Sequence, residues 1–284
     1  MQVNEASFRA LIASVVPTLS NYSVGFTLPV SRTDCVDAVS GGSGTLVAID
    51  NVLGILTASH VINELRRYED VGLILVSPVQ TELHNVSFKT QLAHDYSFTC
   101  GQEPSHGPDL GLIIPPPNVL DTLKARMSFY NLSKRKVPML ERPQSVENGF
   151  WVLSGIVGER TSDAPPERGF SKVKVFRGIH GAGKVVNGYD RDSFDYLVFE
   201  ALYNEFYEGP ESYGGVSGGG LWQVLVRPDG SALEIAECLL SGVAFHQSAQ
   251  NETPAGEVIR EITCHGRRSL YQCLIEKVRA VQPH

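Results

Sequence analysis

Gly214-Gly215-Val216-Ser217-Gly218-Gly219-Gly220 sets a single serine in a run of glycines. A polar, aromatic-rich segment precedes it, and the apolar pair Leu221-Trp222 follows. Glycine has no Cβ, so the backbone can bend sharply there and another molecule can come close to it. A serine at such a bend exposes its hydroxyl beside backbone N–H groups that can face a substrate oxygen. The plain alternative is a flexible turn. What separates the two is whether the chain also supplies a base and an acid.

Both are present, at strand edges. His60 follows an apolar run in Leu56-Thr57-Ala58-Ser59-His60-Val61, and Asp109 opens one in Pro108-Asp109-Leu110-Gly111-Leu112-Ile113. A serine hydroxyl is a weak nucleophile at neutral pH. A neutral imidazole can take its proton and return it to a leaving amine. A buried carboxylate on the other ring nitrogen fixes the tautomer and stabilises the transient imidazolium. The N–H groups of Gly215 and Ser217 are the candidate oxyanion donors, each typically worth on the order of 10²–10³ in rate. Asp95 is a rival acid, but Tyr96 rather than an apolar strand follows it. His94, His106 and His246 have no metal-ligand spacing, and the five cysteines are too widely spaced for a zinc site. The chemistry calls for no metal and no cofactor.

Around these residues the chain reads as short strands with a helix at each end. Phe8, Leu11, Ile12, Val15 and Val16 have helical spacing, and Pro17 is the expected stop. Strands are expected at 23–30, 44–49, 52–57, 71–76, 86–93 and 110–114. Asp50-Asn51 is a hairpin turn, and a short helical turn is expected at 60–67. Residues 31–43 read as a Ser/Asp/Gly-rich loop. Pro115-Pro116-Pro117 stops sheet pairing, and 115–147 reads as a connection with a helical turn near 118–127. Further strands are expected at 150–157, 171–177, 195–201, 221–226 and 233–245, with a closing helix over 267–281. This pattern predicts an all-β protein of two barrels or sandwiches. The expected segments are an N-terminal helix (1–20), a first barrel (21–130), a linker (131–148), a second barrel (149–262) and a C-terminal helix (263–284).

Composition narrows the partners. The 284 residues carry a net charge of −7, which argues against nucleic acid. No stretch approaches the roughly 18 apolar residues of a membrane span, and the N-terminus does not read as a signal peptide. Free thiols in a reducing cytoplasm are the expectation. Gly178-Ile179-His180-Gly181-Ala182-Gly183-Lys184 has P-loop spacing, but Val185 stands where the Mg²⁺ ligand belongs. A mobile surface loop of the second barrel is the expectation there.

Four motifs in series carry a likeness to a known family. Gly-Ser-Gly-Thr-Leu-Val (42–47), Thr-Ala-Ser-His-Val (57–61), Asp-Leu-Gly-Leu-Ile (109–113) and Gly-Val-Ser-Gly-Gly-Gly-Leu (215–221) resemble those of trypsin-like (chymotrypsin-fold) serine peptidases. The bacterial stand-alone and HtrA-like branches look nearest, over roughly residues 25–280. The order His, Asp, Ser matches. The resemblance implies two six-stranded antiparallel β-barrels with the active site in the cleft between them, and a C-terminal helix packed outside. It also implies an S1-pocket base at Glu211, which would favour Lys or Arg in the substrate; the alternative is an exposed loop residue. The strand from Ser241 to Gln247 would form the pocket wall, with Phe245 or His246 narrowing it. One departure is informative. Zymogen-type members carry an aspartate directly before the serine, and here Val216 stands there. Control by that ion pair is excluded, so narrow specificity or a regulatory protein partner is expected beside the protein or peptide substrate. The reading from another class is a catalytically silent trypsin-like fold that binds or scaffolds other proteins.

Overall fold

The computed structural model describes residues 5–31, 36–76, 84–99, 107–142, 149–160, 162–164, 173–175, 178–201, 210, 212–229, 232–248, 251–252 and 258–281. The first half contains α1 (Glu5–Ser20), β1 (Ser23–Ser31), β2 (Val36–Ile49), β3 (Val52–Thr57), α2 (Ser59–Leu65), β4 (Asp70–Leu75), β5 (His84–Lys89), β6 (His94–Thr99) and β7 (Asp109–Ile114). α3 (Pro117–Arg126), β8 (Tyr130–Asn131) and α4 (Leu132–Glu141) connect it to the second. There follow β9 (Gly149–Ile156), β10 (Ser162–Ala164), β11 (Val173–Val175), β12 (Gly178–Arg191), β13 (Phe194–Ala201) and β14 (Gly220–Asp229). β15 (Ala232–Gln247), β16 (Asn251–Glu252), β17 (Val258–Ile259), β18 (Glu261–His265), a π-helical segment Ser269–Leu274 and α5 (Ile275–Val281) follow, and single 3-10 turns lie at Thr90–Leu92 and Gly158–Arg160.

The molecule is mainly β. In the second half β12-β13-β18-β15-β14-β9 close into an antiparallel six-stranded barrel. The first half is a curled eight-stranded sheet in the order β5-β4-β1-β2-β3-β7-β6, with β8 paired to β2. Its path stays open between β5 and β6 among the described residues, so it is a half-barrel rather than a second closed one. The halves share a core: Leu56, Leu110 and Leu112 pack in one cluster with Val152, Trp222 and Leu240. Leu270 and Leu274 of the C-terminal segment complete it. β3, α2 and β7 therefore end against the second barrel, which is what brings their edge residues to a common line.

Several elements differ from the sequence-based expectation. β2 begins at Val36, inside the stretch that reads as a loop. A register shift in its pairing with β1 and a positive φ of 129° at Gly42 make it a bulged strand, so its Ser/Gly content reflects the bulge. β12 occupies the stretch that reads as a mobile loop. Gly183 is needed there because a Cβ would lie 2.2 Å from the Phe199 ring of β13, and Lys184 pairs with Glu200 at 2.8 Å. α1 runs past Pro17 to Ser20 because Leu11, Val15 and Leu19 continue one buried stripe. α4 lies within the expected connection and linker. Asn131 caps it by accepting from the Lys134 N–H at 2.8 Å, and Leu132 and Met139 are buried. No helix among the described residues is long and apolar enough to cross a membrane.

Candidate active site

Asp109 and His60 meet through two hydrogen bonds. The His60 backbone N–H donates to Asp109 Oδ1 at 2.8 Å, and the ring Nδ1 donates to Oδ2 at 2.5 Å. An ionised carboxylate only accepts, so Nδ1 carries the proton, and in the neutral ring Nε2 is the bare nitrogen. The Asp109 side chain is 6% exposed and that of His60 is 42% exposed, so the acid is buried while the imidazole opens outward. Local structure explains the geometry. β7 starts at Asp109, and α2 starts just before His60, so each side chain sits at the rigid end of an element. The rival Asp95 is engaged elsewhere, in an ion pair with Arg66.

Ser217 sits on a turn with positive φ at Gly215 (96°) and Gly218 (91°), conformations that favour glycine. A Cβ at Gly218 would lie 2.0 Å from the Ser43 carbonyl oxygen. The turn is held from both halves. Gly218 N–H donates to Ala244 O at 2.7 Å, Ala244 N–H to Gly219 O at 2.9 Å, and Gly219 N–H to Val216 O at 2.7 Å. From the first half, Ser43 N–H donates to Ser217 O at 2.8 Å. The Ser43 hydroxyl donates to Gly215 O at 2.7 Å and accepts from Ile156 N–H at 2.8 Å. Thr57, on the strand that leads to His60, donates its hydroxyl to Ser43 O at 2.7 Å. Ser43 thus links the serine turn to the strand that delivers the histidine. Sequence reasoning includes Ser43 within Gly-Ser-Gly-Thr-Leu-Val but ends a loop on it and gives it no role.

Gly158 N–H donates to Gly214 O at 2.8 Å. In a trans peptide the C=O and N–H point oppositely, so the Gly215 N–H faces away from Gly158. Neither the Gly215 nor the Ser217 N–H is taken up by a partner among the described residues. Two unspent donors therefore flank the serine. The Ser217 hydroxyl lies 3.4 Å from the Phe245 carbonyl oxygen, its acceptor here; among the described residues no hydrogen bond joins it to His60. Val216 is buried with Trp151, Tyr213 and Leu221, so an apolar plug occupies the position before the serine.

The specificity residues fare differently. Glu211 lies outside the described residues. The Phe245 ring is buried against Tyr196 and His265, so its carbonyl rather than its ring faces the serine. The barrel's aromatic packing claims the ring that the resemblance would place at a pocket mouth. His246 is half-buried on β15. The neighbouring Gln247 accepts from the Tyr213 N–H at 2.9 Å and so ties the segment before the serine to β15. No cluster of three His, Cys, Asp or Glu suited to a metal occurs among the described residues. Cys238, Cys264 and Cys273 are free, and burial pushes the Cys238 thiol up to about 11.

No protein-family model matches the sequence, and no curated protein matches it. Among solved structures, the chain is similar to one from work on the coupled folding and binding of the intrinsically disordered Sesbania mosaic virus VPg protein. Identity is 12% and the TM-score 0.36, with 85% of this chain and 85% of that chain covered. It is also similar to a catalytically inactive tobacco etch virus protease complexed with substrate. There identity is 12% and the TM-score 0.35, over 94% of this chain and 87% of that one. Likenesses this distant leave the function to be read from the site's own atoms.

Proposed function

We propose that this chain is a serine endopeptidase in which Ser217 is the nucleophile, His60 the general base and acid, and Asp109 the orienting carboxylate. The observation that carries the reading is the two-point Asp109–His60 contact, with Nε2 left as a lone-pair acceptor on an open ring. The unspent N–H groups of Gly215 and Ser217 support it.

The chemistry follows from these atoms. As a peptide carbonyl docks, the Ser217 hydroxyl turns from the Phe245 carbonyl toward His60 Nε2. His60 takes its proton as Oγ bonds to the carbonyl carbon, and the oxygen gains its charge between the two N–H donors. Asp109 stabilises the imidazolium. Collapse breaks the C–N bond, and the leaving amine takes the proton from His60. Water then gives its proton to His60 and attacks the acyl-enzyme. Ser217 regains its proton as the acid leaves. No cofactor enters the sequence of steps. The free cysteines fit a reducing, cytoplasmic setting. On this reading the preference for Lys or Arg rests on the resemblance at Glu211 alone, with an exposed loop residue as the alternative, and a regulatory protein partner or narrow specificity limits activity.

The silent-scaffold reading draws on one observation, the serine hydroxyl resting on Phe245 rather than on His60. Profiling of cleaved peptides with the purified chain separates the two. Cleavage should fall by about 10⁴–10⁶-fold in Ser217→Ala or His60→Ala with folding intact. Undiminished cleavage in either variant refutes the peptidase reading.

A further inference from the structure

Beneath the Asp109–His60 pair lies a buried histidine that sequence reasoning does not single out. His265 ends β18 and is 0% exposed. Its Nε2 lies 3.0 Å from the Asp109 backbone N, a contact that spans 156 residues and joins the two halves. The amide can only donate, so Nε2 must be the bare nitrogen and Nδ1 must carry the proton. That Nδ1 has no hydrogen-bond partner among the described residues. Burial pushes the imidazole down to about 3, so the ring stays neutral near pH 7.

The ring is held on several sides. Its centroid lies 4.8 Å from that of Phe245, 5.0 Å from Tyr196 and 5.7 Å from Phe194. Tyr196 also meets the chain just before the aspartate, since a Cβ at Gly107 would lie 2.7 Å from its ring. β13, β15 and β18 thus form an aromatic seat that receives the start of β7. Phe245 serves the seat with its ring and Ser217 with its carbonyl.

We infer that His265 is a positioning residue, which accepts from the Asp109 amide and so anchors the carboxylate's own backbone to the second barrel. This rests on the reading of His60, Asp109 and Ser217 as catalytic. A buried polar side chain with one nitrogen unsatisfied costs stability, and a phenylalanine would fit the aromatic seat without that cost. What phenylalanine cannot do is accept from the Asp109 N–H. Without the acceptor the start of β7 is free to shift, and a shift of about 1 Å can cost about 10²-fold in rate.

Nitrogen-detected NMR of the unmodified protein tests the tautomer directly. His265 should show a protonated Nδ1 and a bare Nε2; a protonated Nε2 overturns the inference, whatever the variants do. The strongly deshielded proton of the His60–Asp109 hydrogen bond supplies a readout independent of activity. It should be lost or broadened in His265→Phe and restored in His265→Gln, whose Oε1 can reach the amide. Labelling of Ser217 by a fluorophosphonate should slow by about 10–100-fold in His265→Phe and recover in His265→Gln. A folded His265→Phe protein with the deshielded proton intact leaves His265 merely structural and overturns the inference. If the unmodified protein shows that proton but never labels, the peptidase reading fails while the anchoring of Asp109 stands.

Discussion

Removing one hydroxyl, in Ser43→Ala, should damage both stability and reactivity. Ser43 is fully buried, and its Oγ serves the Gly215 carbonyl at 2.7 Å and the Ile156 N–H at 2.8 Å. Alanine leaves both groups without a partner. An orphaned buried polar group costs about 1–3 kcal/mol, so the pair should lower unfolding stability by about 2–6 kcal/mol. The effect on chemistry comes from the peptide plane. The Gly215 carbonyl shares its plane with the Val216 N–H, which stays bonded to Tyr213 O at 2.9 Å, so Ser43→Ala removes one of the two ties on the peptide that lies between the two candidate oxyanion donors. Losing one such donor typically costs on the order of 10²–10³ in rate. Urea unfolding measures the first effect, and the fluorophosphonate labelling rate of the folded protein the second. Thr57→Val is the internal control: it removes the bond to Ser43 O but none to the Gly215 carbonyl. It should lower stability by about 1–3 kcal/mol and slow labelling less than Ser43→Ala does. If Ser43→Ala loses stability but labels at the parent rate, Ser43 does not shape the oxyanion turn.

Two further outcomes test the surroundings of the site. Val216→Asp buries a carboxylate among Trp151, Tyr213 and Leu221 and should lower stability by about 3 kcal/mol or more, read by urea unfolding; a parent-like midpoint would mean that this position is not sealed. His265 predicts an acid-side loss of stability. Its ordinary value is 6.5 and its folded value about 3, so between these the unfolded chain binds a proton that the folded chain does not. Stability should therefore fall as pH drops from 6.5 toward 3, by up to about 1.4 kcal/mol per pH unit for this group. His265→Gln should remove that part of the slope, and an identical pH dependence in both proteins would contradict it.

What can be read from the sequence is local. His60, Asp109 and Ser217 each sit where an apolar run meets a turn, and that context is visible within a few residues. The hairpin of β2 and β3 announces itself for the same reason, with Asp50 at a φ of 51° in its turn. What stays hidden depends on contacts far along the chain. Ser43 looks like loop because the bulge in β2 needs small residues. β12 looks like a phosphate loop because its glycines make room for Phe199 of another strand. β6 has no strong strand pattern of its own, and it forms by pairing with β7 across a gap in sequence. His265 acts on a residue 156 positions away, and no spacing rule reports that. Pro138 obscures α4, although its Asn131 cap and buried Leu132 are ordinary helix signals.

The most direct test of the central assignment is covalent. The purified protein would be treated with a fluorophosphonate and the adduct mapped by tandem mass spectrometry. The predicted result is one adduct, on Ser217, absent in Ser217→Ala and slowed by about 10³-fold or more in Asp109→Asn, where the His60 tautomer is lost. A folded protein whose Ser217 stays unmodified, or an Asp109→Asn variant that labels at the parent rate, would contradict the account.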